Sequence, residues 1–329
     1  MVFLFRDKSI SGIVLLFLLL LAVHFHILII PTTVLLDNNN GLINILLAKY
    51  IAPLNSSVIF VLYFITVFVQ ALRLNIALNN FKMFQHQHQT VAMSYILATA
   101  FFTQWSQLSA ALISNFLVIW IFLKLARLSV AQTPKTLLFN IGLIAGATIL
   151  AYHPTYIIIL VVFFALAIER SFKLVEWVVL LMGIILPFYF LGAWLYLSNQ
   201  FHKINIYLPD IHFHLPIQQA TIWLWLSISI LGVILLASIY YNQANSVRMV
   251  IQIRKNWSVI LILLILLLPV CFVFGNTSIE ASALSLIPIA ALAGNVFSYP
   301  KRFLFPNLLF WLSILIAICN NLLITGKLH

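Results

Sequence analysis

The sequence predicts an all-α fold, a polytopic transmembrane helix bundle of about eleven spans that includes two short helical hairpins. Three observations predict it. Hydrophobic residues fill 64% of the 329 positions and charged residues only 7%, against roughly 25% charged in an ordinary soluble domain. Mean hydropathy is +1.13, so a folded chain could not cover its own surface in water and must be solvated by lipid. The apolar residues gather into runs of about 20, the length a helix needs to cross a hydrocarbon core of roughly 30 Å.

The first run, 11–31, follows Arg6 and Lys8. A secretory signal has an apolar core of about 7–15 residues and a small-x-small cleavage site. This run ends in Ile29-Ile30-Pro31 with no such site, which predicts a retained anchor. Runs at 56–79, 175–197, 217–241, 258–275, 281–299 and 303–325 read as further spans. Two stretches exceed a single crossing. Residues 91–127 are interrupted at Thr103-Gln104-Trp105-Ser106-Gln107, and 137–169 at Tyr152-His153-Pro154-Thr155-Tyr156. Lys82 precedes the first, Lys124, Arg127 and Lys135 follow it, and Arg170 and Lys173 follow the second. Basic residues mark cytoplasmic loops, so both ends of each stretch belong on one side and each stretch turns back on itself. Pro154 helps, because it cannot continue the hydrogen-bond ladder of the helix before it.

With two hairpins the basic residues sort. Lys49, Lys203 and Lys327 fall outside, and the other fourteen of the 17 Lys and Arg residues fall in the cytoplasm. This predicts a bacterial inner-membrane protein, N-terminus cytoplasmic and C-terminus periplasmic, forming one transmembrane unit over 1–329. Its two long outer loops are 32–55 and 198–216. The first carries Asp37, Asn38, Asn39 and Asn40, then Leu42 to Ile51 as an interfacial helix. The second, with Pro209, Pro216 and alternating apolar residues, reads as extended.

The net charge of +11 is spread over short loops that build no folded basic surface, which excludes nucleic acid as a partner. Cys271 and Cys319 lie in apolar runs, where thiols act as small hydrophobes. Neither a cofactor nor a metal site is expected.

Of six acidic residues, Asp7, Glu169 and Glu176 sit beside basic residues at the cytoplasmic edge. Asp37, Asp210 and Glu280 lie outside, where a carboxylate serves as general base or holds a cation bound to phosphate; the plainer reading is a solvated loop carboxylate. An ionisable group at membrane depth marks a functional site by default, and His153 sits at such a break; the plainer reading is a helix-end histidine bonded to a carbonyl. The candidate catalytic set is therefore Asp37, Glu280 and His153, with Gln104, Trp105 and Tyr156 as candidate substrate-binding residues at the two breaks. His24 and His26, two apart on a helix, point about 200° from each other and do not share a metal. His212 and His214, joined by His202, share a face if that segment is extended. His86 and His88 read as part of a polar cytoplasmic loop.

Several motifs carry a resemblance: Phe3-Leu4-Phe5-Arg6-Asp7-Lys8, Ala71-Leu72-Arg73-Leu74-Asn75, Phe101-Phe102-Thr103-Gln104-Trp105, Tyr152-His153-Pro154, and Glu176-Trp177 ahead of Leu186-Pro187-Phe188-Tyr189. Together they resemble an uncharacterised family of polytopic inner-membrane proteins of the Bacteroidota. The layout also resembles membrane glycosyltransferases that use polyprenyl-phosphate sugars, and polysaccharide polymerases. Those have a long first outer loop with acidic catalytic residues, followed by short hairpins; here Asp37 stands at such a position and 38–40 are all Asn. The resemblance implies action on lipid-linked sugars at the outer face, with membrane lipid and a polyprenyl-linked glycan as partners. Two other classes fit the sequence: a non-catalytic subunit bound to a partner membrane protein, and a transporter with its site between the broken hairpins.

Overall fold

A computed structural model describes residues 1–7, 9–28, 33–36, 41–207, 222–273, 279–300 and 302–324. Among them the chain is helical nearly throughout, an all-α bundle. The helices are α1 (Ile10–Val23), α2 (Leu42–Leu46), α3 (Ser56–Asn80), α4 (Thr90–Thr99), α5 (Ala110–Leu125), α6 (Pro134–Ala151), α7 (Ile158–Glu169), α8 (Leu174–Leu197), α9 (Ile222–Ser246), α10 (Ile251–Leu267), α11 (Val270–Val273), α12 (Leu286–Ser298) and α13 (Leu304–Ile324). Seven helical segments of the described residues are long and apolar enough to cross a membrane, which makes this a membrane protein.

Local chemistry sets several boundaries. Ser9 caps α1 by accepting the Gly12 N–H at 3.1 Å, and Ser109 caps α5 by accepting that of Leu112 at 3.2 Å; each satisfies a donor that the first turn leaves free. Pro134 opens α6, where its missing N–H costs nothing.

Both interrupted stretches reverse direction. Asn115 Nδ2 lies 3.4 Å from Tyr95 Oη, whereas a continuous helix would hold residues twenty apart about 30 Å away from each other. The break between α4 and α5 is a 3-10 turn, Thr103–Ser106. In the second stretch the turn is His153–Ile157, and Arg170 after α7 donates from Nη1 to the Leu128 carbonyl, ahead of α6, at 3.3 Å. At 10 and 12 residues, α4 and α7 are about 15 and 18 Å long.

One end of the bundle gathers the basic loops. Arg6 donates to the Phe297 carbonyl at 2.8 Å, Gln89 to the Ser9 carbonyl at 2.8 Å, Trp257 to the Met83 carbonyl at 3.3 Å, and Lys255 to the Glu169 carbonyl at 2.9 Å. Arg170 pairs with Glu176 at 3.0 Å in the same layer. The opposite, far end holds the helix breaks and the turns after α1, α8 and α11.

Helices in lipid gain little from the hydrophobic effect between them, so close packing at small residues holds them together. The tightest pair is α6 and α8. A Cβ at Gly142 would strike the Leu180 carbonyl, one at Gly146 the Ile184 carbonyl, and one at Gly183 would lie 2.5 Å from the Phe139 carbonyl. Gly142 and Gly146 form a small-xxx-small motif on α6, and the contact pairs rise together in number, so the two helices run parallel.

Three local expectations change. The run 11–31 is not one helix: α1 ends at Val23 and a 3-10 turn, Phe25–Leu28, follows. Of the second long loop, Phe201–Tyr207 form a 3-10 turn rather than an extended strand, and 208–216, with Asp210, His212 and His214, lie outside the described residues. His88 is buried, not solvated: Asn75 and Asn79 both donate to its carbonyl, at 3.0 and 2.8 Å. The helix expected at Leu42 to Ile51 is present as α2 continued by a π turn, Leu47–Ile51.

Candidate functional site

Exposed backbone at a helix break must find hydrogen bonds inside a membrane, and the carbonyls at the break after α4 accept them from α3 and α13. The Trp105 carbonyl accepts the Tyr63 hydroxyl of α3 at 3.2 Å, and that hydroxyl lies 2.9 Å from Nε2 of His24, where α1 ends. Asn320 of α13 donates to the carbonyls of Ala100 and Phe101 at 3.0 and 2.7 Å. The Trp105 indole N–H donates to the Ser282 hydroxyl at 2.9 Å. Ser282 belongs to the 3-10 turn Ile279–Ser285 that precedes α12.

That turn carries Glu280. Its side chain is 1% exposed, and Oε1 accepts the Ala111 N–H at 3.4 Å. The carboxylate thus stands at the positive end of α5, where the unpaired N–H groups of the first turn favour an anion. Just inside, Asn115 donates to the Ala283 carbonyl at 2.9 Å, Gln70 donates to the Leu112 carbonyl at 2.7 Å, and the Tyr95 hydroxyl donates to Gln70 Oε1 at 2.7 Å. Glu280 and Trp105, far apart in sequence, therefore share one polar cluster.

The second break is built differently. His153 is 1% exposed in its 3-10 turn, while Tyr156 points outward at 42% exposure. Thr155 ties the turn by donating to the Tyr152 carbonyl at 2.7 Å. Against it packs the first long loop: Gly41 has φ +105°, and a Cβ there would lie 2.6 Å from the Ala151 carbonyl. Only glycine combines that conformation with that approach. The same loop reaches the first break, where Leu35 donates to the Leu108 carbonyl at 3.0 Å. One loop therefore touches both breaks. Asp37 lies between these anchors in sequence and outside the described residues. Gln104 is half-buried, and its Oε1 has no hydrogen-bond partner.

Comparison with protein-family models, with curated proteins and with solved structures finds no match.

The candidate residues thus divide into Glu280 with Trp105 and Gln104 at one break, and His153 with Tyr156 at the other. Among the described residues no three of His, Cys, Asp and Glu are grouped to hold a metal. The expected divergence of His24 and His26 is overturned. Both are buried and their ring centroids are 6.3 Å apart, because helical periodicity stops at Val23. Sequence reasoning also missed Gln70, Asn115, Tyr63, Asn320 and Asn44. Asn44 of α2 is buried, and neither amide atom has a hydrogen-bond partner. The available signal was a polar side chain inside or beside an apolar run, which is costly in lipid and so has a purpose.

Proposed function

We propose that this is an inner-membrane protein acting at the outer face on a polyprenyl-linked sugar, as glycosyltransferases and polysaccharide polymerases do. The observation that carries the reading is the course of the first long loop, anchored by Leu35 on one helix break and by Gly41 on the other, on either side of Asp37. The two anchors stand at the end of the bundle that holds Glu280 and His153. In this reading the basic end is cytoplasmic, the far end periplasmic, and each interrupted stretch counts as two of about eleven passes.

The chemistry is the displacement of a polyprenyl phosphate by an acceptor hydroxyl. The Asp37 carboxylate takes the hydroxyl proton, the oxygen attacks the anomeric carbon, and the bond to phosphate breaks with its electrons leaving on the phosphate. Glu280 fixes the α5 terminus and the wall formed by Trp105, and the buried His153 fixes the second break; Gln104 contacts the polar headgroup, and Tyr156 the lipid chain beside it.

The test is extraction of lipid from protein purified in mild detergent, with mass spectrometry of what remains bound. A polyprenyl-linked glycan is expected with the wild type, and its accumulation in cells carrying Asp37→Asn or Glu280→Gln. Wild-type growth and glycan content in both variants would end the reading. A second reading, a non-catalytic subunit, draws on the exposed aromatic flank of α8 at Phe190 and Trp194; it requires a stoichiometric partner protein in the same preparation.

A further inference from the structure

Glu169 buries a carboxyl that no donor reaches. It closes α7 beyond the apolar residues of the helix, in the layer of Arg170, Glu176 and Lys255 at the basic end, and is 3% exposed. Both of its carboxyl oxygens, and the Ser129 hydroxyl that faces them, are shut off from water without a hydrogen-bond partner among the described residues. The Lys255 amine is near but donates elsewhere, to the Glu169 main-chain carbonyl at 2.9 Å. There it caps the last turn of α7, as cations do at helix C-termini.

Opposed effects act on this acid. Burial favours its neutral form, and so does the negative end of the α7 dipole. The Lys255 ammonium, and after it the Ser129 hydroxyl, favours the carboxylate. Burial prevails and pushes the carboxyl up to about 7. Helix α7 packs on α10, α6, α5 and the 3-10 turn Leu128–Val130. Of the other charges on or beside these elements, Arg254, Lys135 and Arg127 are exposed and Lys124 is half-buried. Arg170 is paired with Glu176 at 3.0 Å.

The neutral acid suits this place and the carboxylate does not, because a buried anion without donors is strongly disfavoured. The nearby remedy is Lys255, and moving its amine to the carboxylate leaves the last carbonyl of α7 without its cap. Helix α7 runs on from the His153–Ile157 turn without interruption, so a shift at its end is carried to the second break.

We propose that Glu169 is a proton-operated latch: as the acid it holds α7 against α10, and on giving its proton to water at the basic end it draws Lys255 off the main-chain carbonyl and loosens that contact. The latch stands on this geometry and not on the proposed sugar chemistry. Infrared spectra of the full chain in detergent at about pH 6 and about pH 8 test it. A protonated-carboxyl band is expected to shrink about tenfold between the two, and to be missing in Glu169→Gln. An unfolded chain gives up this proton near 4.3, so wild type loses stability as pH rises from about 4.3 to 7 while Glu169→Gln does not. The melting difference between them should grow over that window and level off above it; His88 is common to both and cancels. Lys255→Met keeps the acid and removes the charge that favours ionisation, so the midpoint of the band should move to higher pH even if Glu169→Gln does not fold. Movement is read at Ser129→Cys in a chain carrying Cys271→Ala and Cys319→Ala. Its reaction with maleimide should be faster at about pH 8 than in the same chain with Glu169→Gln, and equal at about pH 6. A band that ignores pH or survives Glu169→Gln, a midpoint unmoved by Lys255→Met, or equal labelling at both pH values overturns the latch.

Discussion

Asn115 on α5 meets Tyr95 on α4 at 3.4 Å across a chain reversal of twenty residues. The contact identifies the break between them as a true turn. It also places an amide where it serves a third segment, the Ala283 carbonyl at 2.9 Å. One side chain thus joins a hairpin to the turn that carries Glu280.

Asn115→Leu is accordingly expected to destabilise the protein by about 1–3 kcal/mol, because it leaves the buried Ala283 carbonyl without its donor. Unfolding in mild detergent, followed by tryptophan fluorescence, measures it. A loss no larger than that of Tyr95→Phe would show that water readily replaces the amide.

The glycine contact between α6 and α8 predicts a sharp positional effect. Gly146→Leu must push α8 away at the Ile184 carbonyl and is expected to cost about 1–3 kcal/mol or more from overpacking. Gly192→Ala, with nothing within 4 Å of the new Cβ, is expected to be neutral or slightly stabilising. Equal melting shifts for the two would contradict the packing.

His88 predicts a pH dependence. It lies in the loop between α3 and α4, and burial pushes its imidazole down to about 4, with Arg6 and then His86 adding to the effect. An unfolded chain takes up this proton near 6.5. Between those values the unfolded state binds more protons, so stability is full above about pH 6.5 and falls by about 3 kcal/mol as pH drops to 4. Melting curves of wild type and His88→Gln should diverge in slope over that window and run parallel above it.

Sidedness is testable at single positions. A cysteine at the exposed His202 should react with an impermeant maleimide added to intact spheroplasts, whereas one at Arg127 should react only after lysis. Labelling in the opposite pattern would invert the proposed orientation.

The membrane class, the two reversals and the gathering of basic loops at one end were legible in the amino-acid sequence, because each depends on local sums. Run length sets what crosses lipid, and Lys and Arg at both flanks of 91–127 and 137–169 force each stretch back on itself. Glu280, Trp105 and His153 were also legible as isolated candidates, since a charged or polar group beside an apolar run is conspicuous. Tertiary structure alone decided their company. Whether α1 stops at Val23 depends on Tyr63 being there to receive His24; whether His88 is solvated depends on Asn75 and Asn79 closing over it. The first long loop bridges both breaks only because Gly41 fits against Ala151. Hydropathy counts residues along the chain, while a buried polar group is satisfied by partners distant in sequence, and that pairing is set by packing.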